Sequence, residues 1–153
     1  MADLLLTVPS GEQALVASTA KTLLTAKAPA NQRLKIKGIE VFGKGTSNTD
    51  TPIKIEIANI TTDGQTGTAT AVTPVAVDGE MGETAQGTYY KAYGTEPNTY
   101  GSIMRTWEMH PQTGLIVYFP LHDEIKLKGG TEIGVRFTAS QSETVSVNLI
   151  VEE

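Results

Sequence analysis

Val145, Val147, Leu149 and Val151 alternate with Ser146 and Asn148, and a chain built on that rhythm has few folds open to it. Ile133, Val135 and Phe137 alternate with Gly134 and Arg136, Ile53, Ile55 and Ile57 with Lys54 and Glu56, and Ile125 and Leu127 with Lys126 and Lys128. Successive side chains of an extended strand point to opposite faces, so each run has one face for a core and one for water. That is the pattern of antiparallel sheets. Only Ala14 to Leu24 can be written as a helix, and its Thr, Ser and Val, with Leu15, Ala17 and Thr19 in alternation, fit a strand as well.

Turn signals separate the runs: Lys44-Gly45-Thr46-Ser47-Asn48, Thr62-Asp63-Gly64-Gln65, His110-Pro111-Gln112-Thr113-Gly114, Gly129-Gly130 and Ser140-Gln141-Ser142. Further strands are expected near 13–18, 21–27 and 33–43. Thr68 to Val77 is β-rich but interrupted by Pro74, which demotes it to an edge strand or loop. Leu115-Ile116-Val117-Tyr118-Phe119 is apolar on both faces; it is expected to be a central strand or to have one face covered by a partner. Residues 1–12, with Pro9, Ser10 and Gly11, read as an arm. Residues 78–107 read as a long Gly/Tyr-rich loop insertion, with five glycines and four of the five tyrosines followed by Trp107. The expectation is one all-β domain over 13–153, a single antiparallel β-sandwich, jelly-roll-like, of about eight to ten strands with a short N-terminal arm.

Gly38-Ile39-Glu40-Val41-Phe42-Gly43-Lys44 nearly spells a phosphate-binding loop. Such a loop needs a flexible glycine-rich turn, then Ser or Thr after the Lys and a helix. Here the four intervening residues include three strand formers and an acid, Gly45 follows the Lys, and no helix signal comes next. The stretch reads as a strand. Leu34 and Ile36 have one parity and Ile39 and Val41 the other, so the flip at Gly38 predicts a β-bulge or a bend between sheets.

Chemistry is scarce. No cysteine is present, which removes disulfides, thiolate catalysis and Cys-ligated zinc. His110 and His122 flank the 115–119 strand, about 17–20 Å long, too far apart to share one metal. Gly101-Ser102 lacks the nucleophile elbow, and acids such as Glu108, Asp123 and Glu124 read as solvated strand-edge groups. We therefore expect no enzyme, no catalytic residues, no cofactor and no metal. The net charge is −5 without a basic stripe, so nucleic acid is not an expected partner. The N-terminus carries neither a basic leader nor an apolar span, so no membrane association is expected and cytoplasmic synthesis is. Tyr89, Tyr90, Tyr93, Tyr100 and Trp107 have three readings: stacking on sugar rings, a protein interface, or closure of the sandwich's own open end.

Thr22-Leu23-Leu24-Thr25-Ala26-Lys27-Ala28-Pro29-Ala30-Asn31-Gln32-Arg33-Leu34-Lys35-Ile36-Lys37-Gly38, the Glu40-Val41-Phe42 strand, the Gly45-Thr46-Ser47 turn and the strand Thr51 to Ile57 resemble the start of small β-domain structural proteins encoded near the head genes of tailed bacteriophages. The resemblance covers roughly residues 20–60. It implies a head decoration (cement) protein or related virion component. Such proteins are often trimeric β-sandwiches that sit on the capsid surface and staple neighbouring major capsid subunits. It implies no catalytic residues. The expected partners are the major capsid protein and further copies of this chain, a trimer being favoured. The expected location is the virion, after synthesis in the host bacterial cytoplasm. The expected contacts are the arm (Leu4, Leu5, Leu6) and the aromatic group (Tyr89, Tyr90, Tyr93, Tyr100, Trp107). The competing expectation is a lectin-like carbohydrate-binding module on the virion surface, which needs those aromatics exposed in a groove.

Overall fold

A computed structural model describes residues 4–45, 51–62, 68–77, 83–94, 96 and 99–153. The turn at 46–50, the Asp63-Gly64-Gln65 turn and parts of the 78–107 segment lie outside the described residues. Two antiparallel sheets pack face to face, as the alternating runs require.

The strands are β1 (Leu5–Pro9), β2 (Gln13–Ala14), β3 (Lys21–Lys27), β4 (Leu34–Gly43), β5 (Ile53–Thr62), β6 (Thr70–Ala71) and β7 (Val75–Ala76). They continue with β8 (Thr88–Lys91), β9 (Thr99–Met109), β10 (Gly114–Tyr118), β11 (Ile125–Leu127), β12 (Glu132–Thr138) and β13 (Thr144–Glu152). One sheet, here the first, runs β10-β4-β13-β1-β7, with β11 following β10 along β4 and β2 following β1 along β13. The second runs β6-β8-β3-β12-β5-β9. The total exceeds the expected number because short pieces such as β2, β6 and β7, two residues each, add to the long strands.

The core is built from the inward positions of the alternating runs. Ile53, Ile55 and Ile57 of β5, Ile133, Val135 and Phe137 of β12, and Val145 to Val151 of β13 are all buried. The parity flip at Gly38 is a bulge within β4: Ile150 pairs with Gly38 and Val151 with Ile36, so Lys37 is the extra residue. The near-match to a phosphate loop is therefore a strand of a sheet. Pro74 splits its run, and the pieces β6 and β7 go to the edges of different sheets.

Three expectations are corrected. Residues 4–12 of the expected 1–12 arm are not an arm: β1 lies between β13 and β7, and Leu4, Leu6 and Val8 are in the core, while residues 1–3 lie outside the described residues. Their alternation is masked in the sequence by Leu5. Within the 78–107 segment, residues 88–91 and 99–107 are not loop but belong to β8 and β9, and β9 spans 11 residues. Its register against β5 shifts at three places, which erases the period of two. Finally, 115–119 is not central: β10 is an edge strand.

Candidate functional site

The two sheets present very different outer faces. Outward positions of the second sheet include Thr25, which pairs with Gly134, and Thr22, which pairs with Arg136, beside Glu56 of β5. Both threonines and Glu56 are buried: Tyr93, Glu96 and Tyr100 lie over the threonines, and Arg136 and Lys54 close on Glu56. Tyr93 and Thr25 share a hydrogen bond between hydroxyls at 2.7 Å. The Thr22 amide donates to the Glu96 carboxylate at 2.8 Å, and the Tyr100 and Thr22 hydroxyls are also bonded.

The Arg136 guanidinium lies 4.5 Å from the Tyr100 ring centroid and donates to Glu56 Oε2 at 2.9 Å, while Lys54 Nζ reaches Glu56 Oε1 at 2.7 Å. Burial works to raise the Glu56 carboxyl, but these two cations outweigh it and hold it below its ordinary range. Burial likewise pushes the Tyr100 phenol well above its usual range. Gly134 makes room for this layer: a Cβ there would lie 2.9 Å from Tyr100 Oη.

The first sheet's outer face has no such cover among the described residues. Its register brings Phe42 beside Gly114 and Ser146, Glu40 beside Ile116 and Asn148, and Gly38 beside Tyr118 and Ile150. Thr7 joins Ile150 to Val75. Phe42, Val75, Val77, Ile116 and Tyr118 are exposed along it, and Leu121, in the turn after β10, is 74% exposed.

The charges on this face satisfy one another. Lys35 pairs with Glu152, and Lys37 pairs with Glu124 at 2.8 Å and Glu152 at 3.2 Å. The Lys37 ammonium holds the Glu124 carboxyl down at about 2. The Tyr118 hydroxyl donates to Glu40 Oε1 at 2.6 Å, and Asn148 donates to its other oxygen at 3.2 Å. The face is thus apolar side chains set among pre-paired charges.

The sequence-derived contact residues divide differently from expectation. Leu4 and Leu6 are in the core, and Leu5 is half-buried in β1. Tyr89 and Tyr93 are 2% and 4% exposed, so neither ring is available to a sugar or a partner. Tyr89 donates to Glu153 Oε1 at 2.6 Å, fastening β8 beside the end of β13. Tyr90 is half-buried in β8, and Tyr100 serves the intramolecular cover. Trp107 is half-buried against the core with its ring 6.3 Å from that of Phe119.

The aromatic group therefore does not form one exposed surface. Phe42, Ile116 and Tyr118 do lie together, and their only signal in the sequence was the two-sided apolar run 115–119. His110 accepts a hydrogen bond from the Gln112 amide in its turn, and His122 sits in the turn after β10 at a φ of 78°. Among the described residues no group of three or more His, Cys, Asp or Glu is placed to hold a metal ion. No protein-family model, curated protein or solved structure matches the chain.

Proposed function

We propose that this protein is a structural component of a tailed-phage virion, a head decoration protein that binds the capsid surface and bridges major capsid subunits. The observation that carries the reading is the contrast between the outer faces. One is covered over Thr22, Thr25 and Glu56 by the chain's own residues and exposes Ile103 toward its β9 edge; the other leaves Phe42, Ile116, Tyr118, Val75 and Val77 exposed. Burying this second face against another protein keeps Lys35, Lys37, Glu124 and Glu152 paired with one another and leaves Glu40 its bonds from Tyr118 and Asn148. Five strands about 4.8 Å apart give a surface comparable to the ~800 Å² per partner of a standard interface.

We also read the strand order as a jelly roll. Let β1, β3, β4, β5, β9, β10, β12 and β13 be strands one to eight. One sheet then runs one-eight-three-six and the other two-seven-four-five. The resemblance over residues 20–60 supplies the phage context, and repeated modest contacts over a lattice supply tight attachment by avidity.

The test is to mix purified protein with undecorated phage heads and measure co-sedimentation. Saturable binding at a fixed ratio to the major capsid protein, weakened by Phe42→Asp, is the expected result. Absence of binding refutes the reading.

A further inference from the structure

We propose that β10 is a self-association strand: its free edge pairs antiparallel with β10 of a second copy about a two-fold axis at Ile116, joining two first sheets into one. Each sheet has two edges, and three of the four are blunted in ways that discourage pairing. β6 and β7 are two residues long. β9 carries Arg105 and Glu108 and breaks register three times. β10 has none of these devices. It is a regular five-residue strand inside an uncharged stretch, residues 111–121, of a chain whose net charge is −5. A surface that must meet its own copy needs such neutrality.

The backbone defines the register. Gly43 donates to the Thr113 carbonyl and Phe119 to the Lys37 carbonyl, so 113, 115, 117 and 119 turn their polar groups toward β4. Gly114, Ile116 and Tyr118 therefore turn theirs to the open edge, where no strand pairs with them among the described residues. An antiparallel pair centred on Ile116 sets 116 opposite 116 and 114 opposite 118. These are hydrogen-bonded positions on both strands, so every open group of the three residues is satisfied. Pro111 and Pro120, which have no N–H, bracket the ladder.

Phe42, Ile116, Tyr118 and Leu121, four of the eight large exposed apolar side chains, lie on or beside this edge. The pairing is isologous and yields a dimer, in place of the trimer that the resemblance implies. The dimer also gives an edge strand apolar on both faces a physical use: the inward face serves the core and the outward face continues into the partner.

The experiment is sedimentation of the full chain from micromolar to millimolar concentration, with two variants. The wild type is expected to form a concentration-dependent dimer. Ile116→Lys sets like charges opposite each other at the axis and is expected to weaken self-association by at least about tenfold. Ile116→Cys places two thiols across a pair with Cα atoms about 5.5 Å apart, within disulfide reach. Because the chain has no other cysteine, mild oxidation is expected to give one covalent dimer with an unchanged circular dichroism spectrum.

A wild type that is monomeric throughout, or trimeric, overturns the proposal, as does a dimer that Ile116→Cys fails to cross-link. If Ile116→Lys does not fold, the wild-type stoichiometry and the cysteine variant still decide. The result is separable from head binding: a chain that dimerises through β10 but ignores phage heads refutes the virion reading alone.

Discussion

Gly134→Ala tests whether the second sheet's outer face is sealed. The added Cβ would lie 2.9 Å from Tyr100 Oη, 3.1 Å from Tyr100 Cε1 and 3.1 Å from Ile60 Cδ1. Overpacking of this kind costs about 1–3 kcal/mol. Against it stands a gain of roughly 0.4–1 kcal/mol, because alanine has less unfolded-state freedom than glycine. The net expectation is a loss of up to about 2.6 kcal/mol, a fall in Tm of up to roughly 10 °C for a domain of this size.

The sign is expected to invert once the ring is gone. In a Tyr100→Ala background the same substitution keeps the gain and meets only the end of Ile60, so it is expected to stabilise by about 0.4–1 kcal/mol. Urea unfolding of the four proteins in this cycle provides the assay. If Gly134→Ala costs the same with and without Tyr100, the ring does not rest on Gly134 and the account of the sealed face fails.

Leu6→Ala is expected to cost about 2–5 kcal/mol, the cost of deleting buried methyl groups; unchanged denaturant unfolding would instead mean that β1 hangs free. The Glu124 carboxyl is held near 2, below its ordinary 4.5, chiefly by its bond from Lys37. Its contribution to stability is therefore complete above about 4.5 and disappears as pH falls toward about 2. Glu124→Gln is expected to be less stable than wild type at neutral pH, the two converging in acid; a constant difference across that window in pH-dependent urea melts would refute the pairing.

Much of the architecture was legible where side chains repeat. The final three strands, the bulge at Gly38 and the fragmentation at Pro74 all follow from local parity or local covalent geometry. What failed depended on distant partners. β9 keeps no simple alternation because it slips against β5, and Leu4-Leu5-Leu6 hides its parity until β13 lies alongside. The aromatic residues were visible as a group, but nothing local says that Tyr93 turns onto Thr25 or that Tyr100 meets Thr22, residues 68 and 78 positions earlier. The open face was half legible: a strand apolar on both sides signalled a second neighbour without revealing that it lies at an edge.

β12 and β13 occupy the middle of their sheets, β12 between β3 and β5 and β13 between β4 and β1. They are also the last strands in the chain. Until residues 132–152 leave the ribosome, each sheet exists only as two unjoined halves. At ~5–20 residues per second, the roughly 40 residues between the end of β8 and the start of β12 keep the β3 half of the second sheet waiting for about 2–8 s. Closure then requires contacts between the two ends of the chain, a slow class of folding step. A nascent chain stalled before Glu132 lacks the seam of both sheets and exposes four raw strand edges to the cell's chaperones and proteases.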